Sequence, residues 1–281
     1  MAHLQTARSF LFAPGSDERK LVRALECGAD AVIADLEDAV TAPEKPAARD
    51  LATRILADAA TGSSRLVRVN AVGTEWHEAD LAALAGSGID GVVLPKATAA
   101  SVGSVGERAE LPIVAIVETP TGLREAFTIG SHERVVALVL GAIDLGLALG
   151  LEAREDGQEI LFARSSVVVD SAAAGLRGPI DRVWVDTRDL DGLALDCALG
   201  RSLGFRGKAL VHPDQVAVTH EAFAPSAGEL ARAREIVAAF ELAAAEGRGA
   251  VAVDGEMIDL PVVERARQLL SDEKRSVLHG E

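Results

Sequence analysis

The sequence predicts an α/β fold, a (β/α)8 TIM barrel with a C-terminal helical extension. Its 281 residues, of which 49% are hydrophobic, suffice for one large α/β domain, and a barrel of this kind typically needs about 250 residues. Short β-branched runs, typical of parallel strands buried on both faces, alternate with longer amphipathic segments. No strand is followed by the pattern G-x-G-x-x-G, so the main alternative, a doubly wound dinucleotide-binding sheet, is disfavoured.

Eight segments are predicted as strands: Ser9–Ala13, Ala31–Asp35, Leu66–Asn70, Gly91–Pro95, Ile113–Glu118, Val135–Leu140, Arg182–Asp186 and Gly207–Val211. Alanine- and leucine-rich segments between them predict crossover helices, including Arg19–Cys27, Lys45–Ala60, Trp76–Leu84, Gly122–Ile129 and Ile160–Ala174. Eight strand–helix units favour a closed barrel over an open sheet.

The chain continues beyond the eighth strand for longer than a barrel requires. We expect residues 1–222 to form the catalytic barrel and residues 223–281 to form the extension. The extension holds a strongly helical stretch, Glu229–Glu246, and a second helix around Val262–Leu270. Apolar residues at the start of that second helix should not stay exposed, so we expect the extension to dock on a neighbouring subunit.

Composition excludes several classes of protein. The formal net charge of −15 argues against nucleic acid or an anionic membrane as a partner, because their phosphates require a positive field. Cys27 and Cys197 are too few for a disulfide framework or a zinc ribbon. Because no apolar run approaches the ~18 residues of a membrane helix, we expect a soluble cytoplasmic protein.

Charged and polar residues at the C-terminal ends of barrel strands are candidates for the active site. They are Asp35, Glu37 and Asp38 after the second strand, Arg68 and Asn70 on the third, Lys96, Glu118 and Asp144 after the fourth, fifth and sixth, Asp186 at the end of the seventh, and His212 after the eighth.

Glu118 and Asp144 follow consecutive strands, so both carboxylates can converge on one hard cation, with water or ligand oxygens completing its octahedral shell. The sequence therefore predicts a magnesium site at these two residues. Taken singly, each carboxylate would more often cap a helix or pair with a nearby base.

Arg68 and Lys96 each allow two interpretations. A guanidinium on an otherwise apolar strand needs an anion, which is either a substrate carboxylate or the acidic cluster of Asp35, Glu37 and Asp38. Lys96 could form a Schiff base, but an ion-paired lysine is favoured because the metal site already supplies an electron sink. For His212 a backbone-bonded role is favoured over acid–base chemistry.

Eight motifs in order resemble the citrate lyase β-subunit-like branch of the HpcH/HpaI aldolase family, which includes malyl-CoA and citramalyl-CoA lyases. They are RSFLFAPGSDERKLVRAL, GADAVIADLEDAV, LVRVN, VVLPKA, IVETPTGL, LVLGAIDLGLALG, GKALVHPDQV and VDGEMIDLPVVERA. The resemblance covers roughly Arg8 to Leu270, and its specificity lies in the order of the motifs rather than in any one of them.

The resemblance implies that Glu118 and Asp144 bind Mg2+ and that Arg68 contacts the keto-acid part of the substrate. It also implies that Asp259 is a catalytic acid or base delivered from a neighbouring subunit. Further substrate contacts are expected at Phe12, Arg23, Ile143 and Asp144, with Phe12 and Arg23 nearest the coenzyme A moiety. Asp17 replaces a basic residue that some malyl-CoA lyases carry, so phosphate binding is expected to shift to Arg19 or Lys20, or the thioester carrier to differ.

The sequence thus predicts a magnesium-dependent lyase that cleaves a 3-hydroxyacyl-CoA thioester into acetyl-CoA and an α-keto acid, working as a homotrimer or a dimer of trimers. Two alternatives remain open. One is a class II aldolase acting on a free hydroxy-keto acid, and the other is a non-catalytic CoA-binding subunit of a larger lyase complex.

Overall fold

The structure is a computed structural model that describes residue 4 and residues 6–154 and 156–278, with side chains up to residue 273. Eight parallel strands close into a barrel, with β1 pairing β2 on one side and β8 on the other. The strands are β1 Ser9–Pro14, β2 Ala31–Asp35, β3 Ser64–Arg68, β4 Gly91–Leu94, β5 Ile113–Val117, β6 Val135–Leu140, β7 Ile180–Asp181 and β8 Gly207–Leu210. The predicted fold class is confirmed.

Helices connect the strands around the outside of the barrel. They are α1 Glu18–Glu26, α2 Lys45–Asp58, α3 His77–Leu84, α4 Ala99–Arg108, α5 Pro120–Arg124, α6 Ala126–Gly130, α7 Ala142–Leu149, α8 Leu161–Ala173, α9 Leu190–Leu203 and α10 Gln215–Phe223. The stretch predicted as one helix over Gly122–Ile129 is two short helices that meet at Glu125.

Side chains alternate between the two faces of the barrel wall, as the two-residue period of a strand requires. The interior is filled by an apolar cluster that includes Phe10, Ile33, Leu66, Val114, Val139 and Ala209. Side chains of the other parity, such as Val32, Val67 and Leu138, pack outward in a larger cluster with the helices. A filled interior leaves the C-terminal edge of the strands as the place where a ligand can bind.

Strand β7 differs most from its prediction, which placed it at Arg182–Asp186. The strand is only Ile180–Asp181, and Asp186 lies in the loop beyond it, so the expectation that Asp186 ends a strand is wrong. The reason is that the side chain of Gln215 forms hydrogen bonds where main-chain pairing between strands would otherwise occur. Gln215 accepts hydrogen bonds from the main-chain N–H groups of Val211 and His212 and donates to the carbonyl of Trp184. These groups are therefore satisfied without strand pairing.

The chain divides into two compact units, residues 1–223 and residues 224–281. The second unit contains α11 Ala227–Ala245, an antiparallel hairpin of β9 Val251–Val253 and β10 Glu256–Ile258, and α12 Leu260–Leu278. The hairpin was not predicted, although Asp254-Gly255 at its turn is a strong local signal. None of the helices in the described residues is long and apolar enough to cross a membrane.

Candidate active site

A cavity of about 550 Å3 opens at the C-terminal edge of the barrel. Its floor is apolar and is built from strand interiors, including Ile116, Val139 and Ala209. Its polar wall consists of residues from the ends of β2, β3, β5 and β6, which are Asp35, Asp38, Arg68, Glu118 and Asp144. Five of the ten strand-end candidates proposed from the sequence thus line one cavity, whereas Glu37, Asn70, Lys96, Asp186 and His212 are not part of its lining.

Glu118 directly follows β5, where it is 5% exposed, and Asp144 lies in the first turn of α7. The main-chain N–H of Lys96 donates to Glu118 Oε1 at 2.7 Å. On the other side of Glu118 lies Gly141, where an added Cβ would stand only 2.4 Å from Glu118 Cβ. Gly141 is therefore required for the carboxylate to lie where it does, a role the sequence analysis missed.

Burial, together with the negative charges of Glu37 and Asp144, raises the pKa of Glu118 to about 7 against the opposing hydrogen bond and positive charge of Lys96. A carboxylate surrounded by other carboxylates in a partly desolvated place gains from a nearby cation. A carboxylate pKa raised by burial and by neighbouring carboxylates is typical of the ligands of a metal-binding site.

Arg68, the last residue of β3, is an ion-pair centre. Its Nε and Nη2 donate to Asp35 Oδ1 and Oδ2 at 2.7 and 2.6 Å, and Nη1 lies 3.1 Å from Glu37 and 3.2 Å from Asp38. The guanidinium also stands 5.3 Å from the centroid of the Phe12 ring. The ion-pair interpretation of Arg68 is therefore present in the structure, and a substrate contact would have to be made alongside it.

Lys96 is ion-paired as well. Its Nζ lies 2.6 Å from Glu37 Oε1 and 3.4 Å from Asp144 Oδ2. Burial lowers the pKa of the Lys96 amine, but the hydrogen bond and charge of Glu37 outweigh it and raise that pKa above its ordinary value. A charged amine is a poor nucleophile, which supports the ion-paired interpretation over the Schiff base.

Lys45, at the start of α2, binds the loop after β2 that carries Glu37 and Asp38. Its buried ammonium donates to the carbonyls of Leu36 and Glu37 and to Asn70 Oδ1, at 2.6 to 2.8 Å. Glu37 Oε2 is buried and, although close to Arg68, receives no hydrogen bond from the part of the chain that the structure describes. Lys45 therefore fixes the loop that carries Glu37, one of whose carboxylate oxygens has no hydrogen-bond donor among the described residues.

Only some of the residues expected near the substrate line the cavity. Phe12 and Ile143 line the cavity, and Ile143 is 59% exposed. Arg23 is exposed in the last turn of α1, outside the lining of the cavity. Asp17 caps α1 by accepting from the main-chain N–H of Lys20 and pairs with the Lys20 ammonium at 3.5 Å. The local role of Asp17 is thus helix capping, and it partly neutralises one of the alternative phosphate-binding residues.

His212 and Asp259 have local hydrogen bonds of their own. His212 Nδ1 accepts from the main-chain N–H of Asp214 at 3.2 Å, which supports the backbone-bonded interpretation. Asp259 precedes α12 and accepts from the N–H of Val262 at 3.4 Å, as a helix cap would. Nearby, Met257 and Leu260 are 72% and 55% exposed, whereas Ile258 and Val263 are buried. The local structure alone therefore gives Asp259 no catalytic role.

The donor set at the cavity fits magnesium. Within residues 4, 6–154 and 156–278, no group of three or more His, Cys, Asp and Glu side chains is arranged to hold a metal ion. Magnesium usually needs only one or two protein carboxylates, since water and substrate oxygens supply the rest. Glu118 and Asp144 meet that requirement with hard oxygen ligands at the edge of an open cavity.

Comparison with known proteins places this geometry in a family. A family model described as HpcH/HpaI aldolase/citrate lyase matches residues 8–213. The (3S)-malyl-CoA thioesterase of Cereibacter sphaeroides is 39% identical over 275 residues, covering 96% of each chain. The citrate lyase subunit beta of Escherichia coli is 35% identical over 292 aligned positions, covering 99% of this chain and 96% of that one. Among solved structures, CitE of Mycobacterium tuberculosis in complex with magnesium, acetoacetate and coenzyme A has a TM-score of 0.83 and 34% identity, covering 95% of this chain and 97% of that one.

Proposed function

This chain belongs to the HpcH/HpaI aldolase/citrate lyase family, and from that premise we propose that Glu118 and Asp144 hold the magnesium ion at which it cleaves its substrate. The protein is a carbon–carbon lyase acting on a coenzyme A thioester, with magnesium as its cofactor. The substrate class is a 3-hydroxyacyl-CoA such as citryl-, malyl- or citramalyl-CoA, and the products are acetyl-CoA and an α-keto acid.

One observation carries the proposal: Glu118, Asp144 and Arg68 line one cavity at the C-terminal edge of the barrel. When bound, magnesium polarises the substrate oxygen that becomes the carbonyl of the keto acid. Arg68 lies on the same wall and supplies positive charge where negative charge develops. Its bonds to Asp35 hold the guanidinium plane, and its Nη1 lies 3.1 Å from Glu37 and 3.2 Å from Asp38, so a substrate carboxylate would share the guanidinium with these acids.

Cleavage moves the electrons of the breaking C–C bond onto the α-carbon of acetyl-CoA, while the substrate hydroxyl releases its proton to water and becomes the carbonyl of the keto acid. The α-carbon then needs a proton, and we assign its delivery to Asp259 of a neighbouring subunit. The exposed side chains of Met257 and Leu260 next to Asp259 support docking of residues 223–281 on another copy. A cyclic trimer, or two such trimers, would repeat this contact at every subunit.

We propose that Phe12, Ile143 and Arg23 contact the coenzyme A end of the substrate. Phe12 lines the cavity with its ring centroid 5.3 Å from the Arg68 guanidinium, and Ile143 offers an exposed apolar contact beside Asp144. Arg23 lies outside the cavity lining, so its phosphate contact requires a ligand that extends over α1. Coenzyme A thioesters are intracellular metabolites, which supports a cytoplasmic location.

The direct test incubates the purified protein with MgCl2 and each of malyl-, citramalyl- and citryl-CoA. If the protein is a lyase, acetyl-CoA and an α-keto acid should form in equal amounts. Chromatography detects the acetyl-CoA, and phenylhydrazone formation detects the keto acid. Cleavage of a free hydroxy-keto acid instead would identify an aldolase, and no turnover of either substrate would identify a non-catalytic subunit. Wild type without magnesium and Glu118→Gln with magnesium are the matched controls, and full turnover in Glu118→Gln would remove that residue from the metal site.

A second activity, thioester hydrolysis, is favoured by the 39% identity to a malyl-CoA thioesterase. The same assay separates the two reactions, because hydrolysis of malyl-CoA releases malate and a free thiol. Release of thiol without glyoxylate would replace the lyase by a thioesterase. Thiol that rises only after acetyl-CoA and glyoxylate have formed would point to sequential reactions.

The shared site is tested by mixing two inactive proteins, Asp259→Ala and Glu118→Ala. If Asp259 acts in a neighbouring subunit, mixed oligomers contain interfaces with both intact residues, and part of the activity returns. Subunit exchange is verified by native mass spectrometry of differently tagged chains. Exchange without any recovered activity would contradict a role for Asp259 in another subunit's site.

A further inference from the structure

Lys96 has a main-chain conformation that its residue type rarely adopts. Its φ is +49°, in the left-handed region, and among the described non-glycine residues only Asp254 shares a positive φ. Asp254 belongs to an exposed Asp-Gly hairpin turn, where that conformation is common. Lys96 lies two residues beyond β4, at the edge of the candidate active site. Strain of this kind persists only where the surroundings enforce it, and it concentrates at functional sites.

The conformation aims the main chain of Lys96 at Glu118. The N–H of Lys96 donates to Glu118 Oε1 at 2.7 Å, and the next N–H, of Ala97, donates to the carbonyl of Ile116 at 3.1 Å. Both bonds attach the turn after β4 to β5, so an ordinary φ at residue 96 would break one or the other. Gly141 also packs closely against this side chain, since a Cβ added there would stand 2.6 Å from Glu118 Oε2.

The side chain of Lys96 does a separate job. Its ammonium lies 2.6 Å from Glu37 and 3.4 Å from Asp144. The side chain therefore contacts Asp144, whereas the main-chain N–H binds Glu118. Main chain and side chain therefore touch the two proposed magnesium ligands independently.

We propose that Lys96 is a positioning residue whose left-handed main chain orients Glu118 for the metal, and that this role does not depend on its charge. The inference rests on the proposed function, since it concerns the metal site assigned there. It predicts that substitutions at residue 96 sort by their tolerance of positive φ and not by their polarity.

The test compares magnesium affinity, measured by isothermal titration with MgCl2 alone, in two uncharged variants. Lys96→Met is unbranched and keeps the left-handed conformation at a cost, whereas Lys96→Val is β-branched and is excluded from it. We expect Lys96→Val to bind magnesium on the order of 10- to 100-fold more weakly than Lys96→Met, the range found when groups that orient metal ligands are removed. Lys96→Gly, which adopts positive φ freely, should match or exceed Lys96→Met.

A second pair with polar side chains, Lys96→Asn and Lys96→Thr, repeats the contrast, because asparagine tolerates the left-handed region and threonine does not. Equal affinity within both pairs, with all variants folded by circular dichroism, would overturn the proposal. Loss of folding in both β-branched variants would also overturn it, because the conformation would then serve the fold. If wild type and Glu118→Gln bind magnesium equally, the proposed metal site itself fails; if Glu118→Gln loses binding while Lys96→Val keeps it, only the role of Lys96 fails.

Discussion

Two clusters of charged side chains in the barrel unit have opposite balances. The cavity cluster consists of Asp35, Glu37, Asp38, Arg68, Lys96, Glu118 and Asp144, in which five carboxylates face two cations. The β7–β8 cluster consists of Arg164, Asp181, Arg182, Asp196 and Lys208, in which two carboxylates face three cations.

The β7–β8 cluster is buried between the barrel wall and helices α8 and α9. Arg164 Nη2 lies 2.7 Å from both Asp181 and Asp196, and Lys208 Nζ lies 2.6 Å from Asp196 and 3.1 Å from Asp181. Arg164, Asp181 and Lys208 are fully buried. Since β7 has only two residues, these ion pairs join β7 and β8 to the helices where the ladder is short.

The two clusters shift carboxylate pKa values in opposite directions. Burial alone raises the pKa of Asp196, but Lys208, Arg182 and Arg164 hold it well below its usual range. Burial and the neighbouring carboxylates together raise the pKa of Glu118 to about 7. The β7–β8 cluster, whose carboxylates are neutralised by its own cations, stabilises the fold. The cavity cluster has surplus carboxylates at an open cavity, which favours binding of an external cation.

The largest effect is expected at Glu118. Replacement by glutamine removes a proposed metal ligand, and since a bound metal contributes several kcal/mol of charge stabilisation, kcat/KM should fall on the order of 10^3-fold. The free energy of unfolding should stay the same or rise, because a buried negative charge is removed. Steady-state kinetics and thermal melting of the same preparation measure both. A loss of stability with preserved activity would reverse the roles assigned to the two clusters.

Asp196→Asn should give the opposite result. The substitution leaves the buried Arg164 and Lys208 with one carboxylate, Asp181, in place of two, and an uncompensated buried charge typically costs about 3–5 kcal/mol of unfolding free energy. Urea denaturation monitored by circular dichroism gives that value, and kcat measured well below the melting temperature should stay within about twofold of wild type, because Asp196 lies outside the cavity lining. A large drop in kcat with normal stability would contradict the structural role.

Arg68→Lys belongs to both categories, because Arg68 is ion-paired and also lines the cavity. An ammonium keeps the charge but cannot reproduce the paired contacts with Asp35, so we expect roughly 10^2-fold lower kcat/KM and about 1–2 kcal/mol lower stability. Enzyme kinetics with denaturation curves test this. Near-normal turnover would show that Arg68 acts only in the fold.

A matched pair of glycines on one short segment tests the packing around Glu118. Gly141→Ala places a methyl 2.4 Å from Glu118 Cβ, whereas Gly146→Ala, within α7, meets no atom within 4 Å. We expect about tenfold weaker magnesium binding in Gly141→Ala, in the range for disturbed support of a metal ligand. Gly146→Ala should bind normally and melt slightly higher, since alanine favours a helix interior by roughly 0.5–1 kcal/mol. Equal magnesium affinity in the two variants would contradict the close-packing argument.

The smallest effect concerns pH. Because the folded-state pKa of Asp196 is depressed, its contribution to stability is fully present above its unfolded pKa of about 3.9 and is lost as pH falls through the lower folded value. The stability difference between wild type and Asp196→Asn should therefore be constant above about pH 5 and shrink below about pH 4. Denaturant midpoints from pH 3 to 7 measure it, and a difference that grows toward acid would mean that Asp196 is not stabilised as an anion.

The fold class and the members of the cavity could be predicted from the sequence for a common reason. Parallel strands are marked by local apolar runs, and residues that follow such runs necessarily meet at one edge of the barrel. Glu118, Asp144 and Arg68 end or follow such runs, and all three line the cavity. β7 was misplaced because Val183 and Val185 resemble a strand, while Gln215, distant along the chain, satisfies the main chain there instead.

Only the tertiary structure decided how the charges are paired. The sequence around Arg164, Asp196 or Lys208 does not predict a buried ion-pair network, because the three residues lie on different elements and meet only when the helices pack on the barrel. The same holds for the left-handed φ of Lys96 and the close approach at Gly141, which arise from hydrogen bonds and contacts with neighbouring strands. Periodicity is a property of neighbouring residues in the chain and can be read from it, whereas charge pairing and backbone strain depend on residues that the fold brings together from far apart.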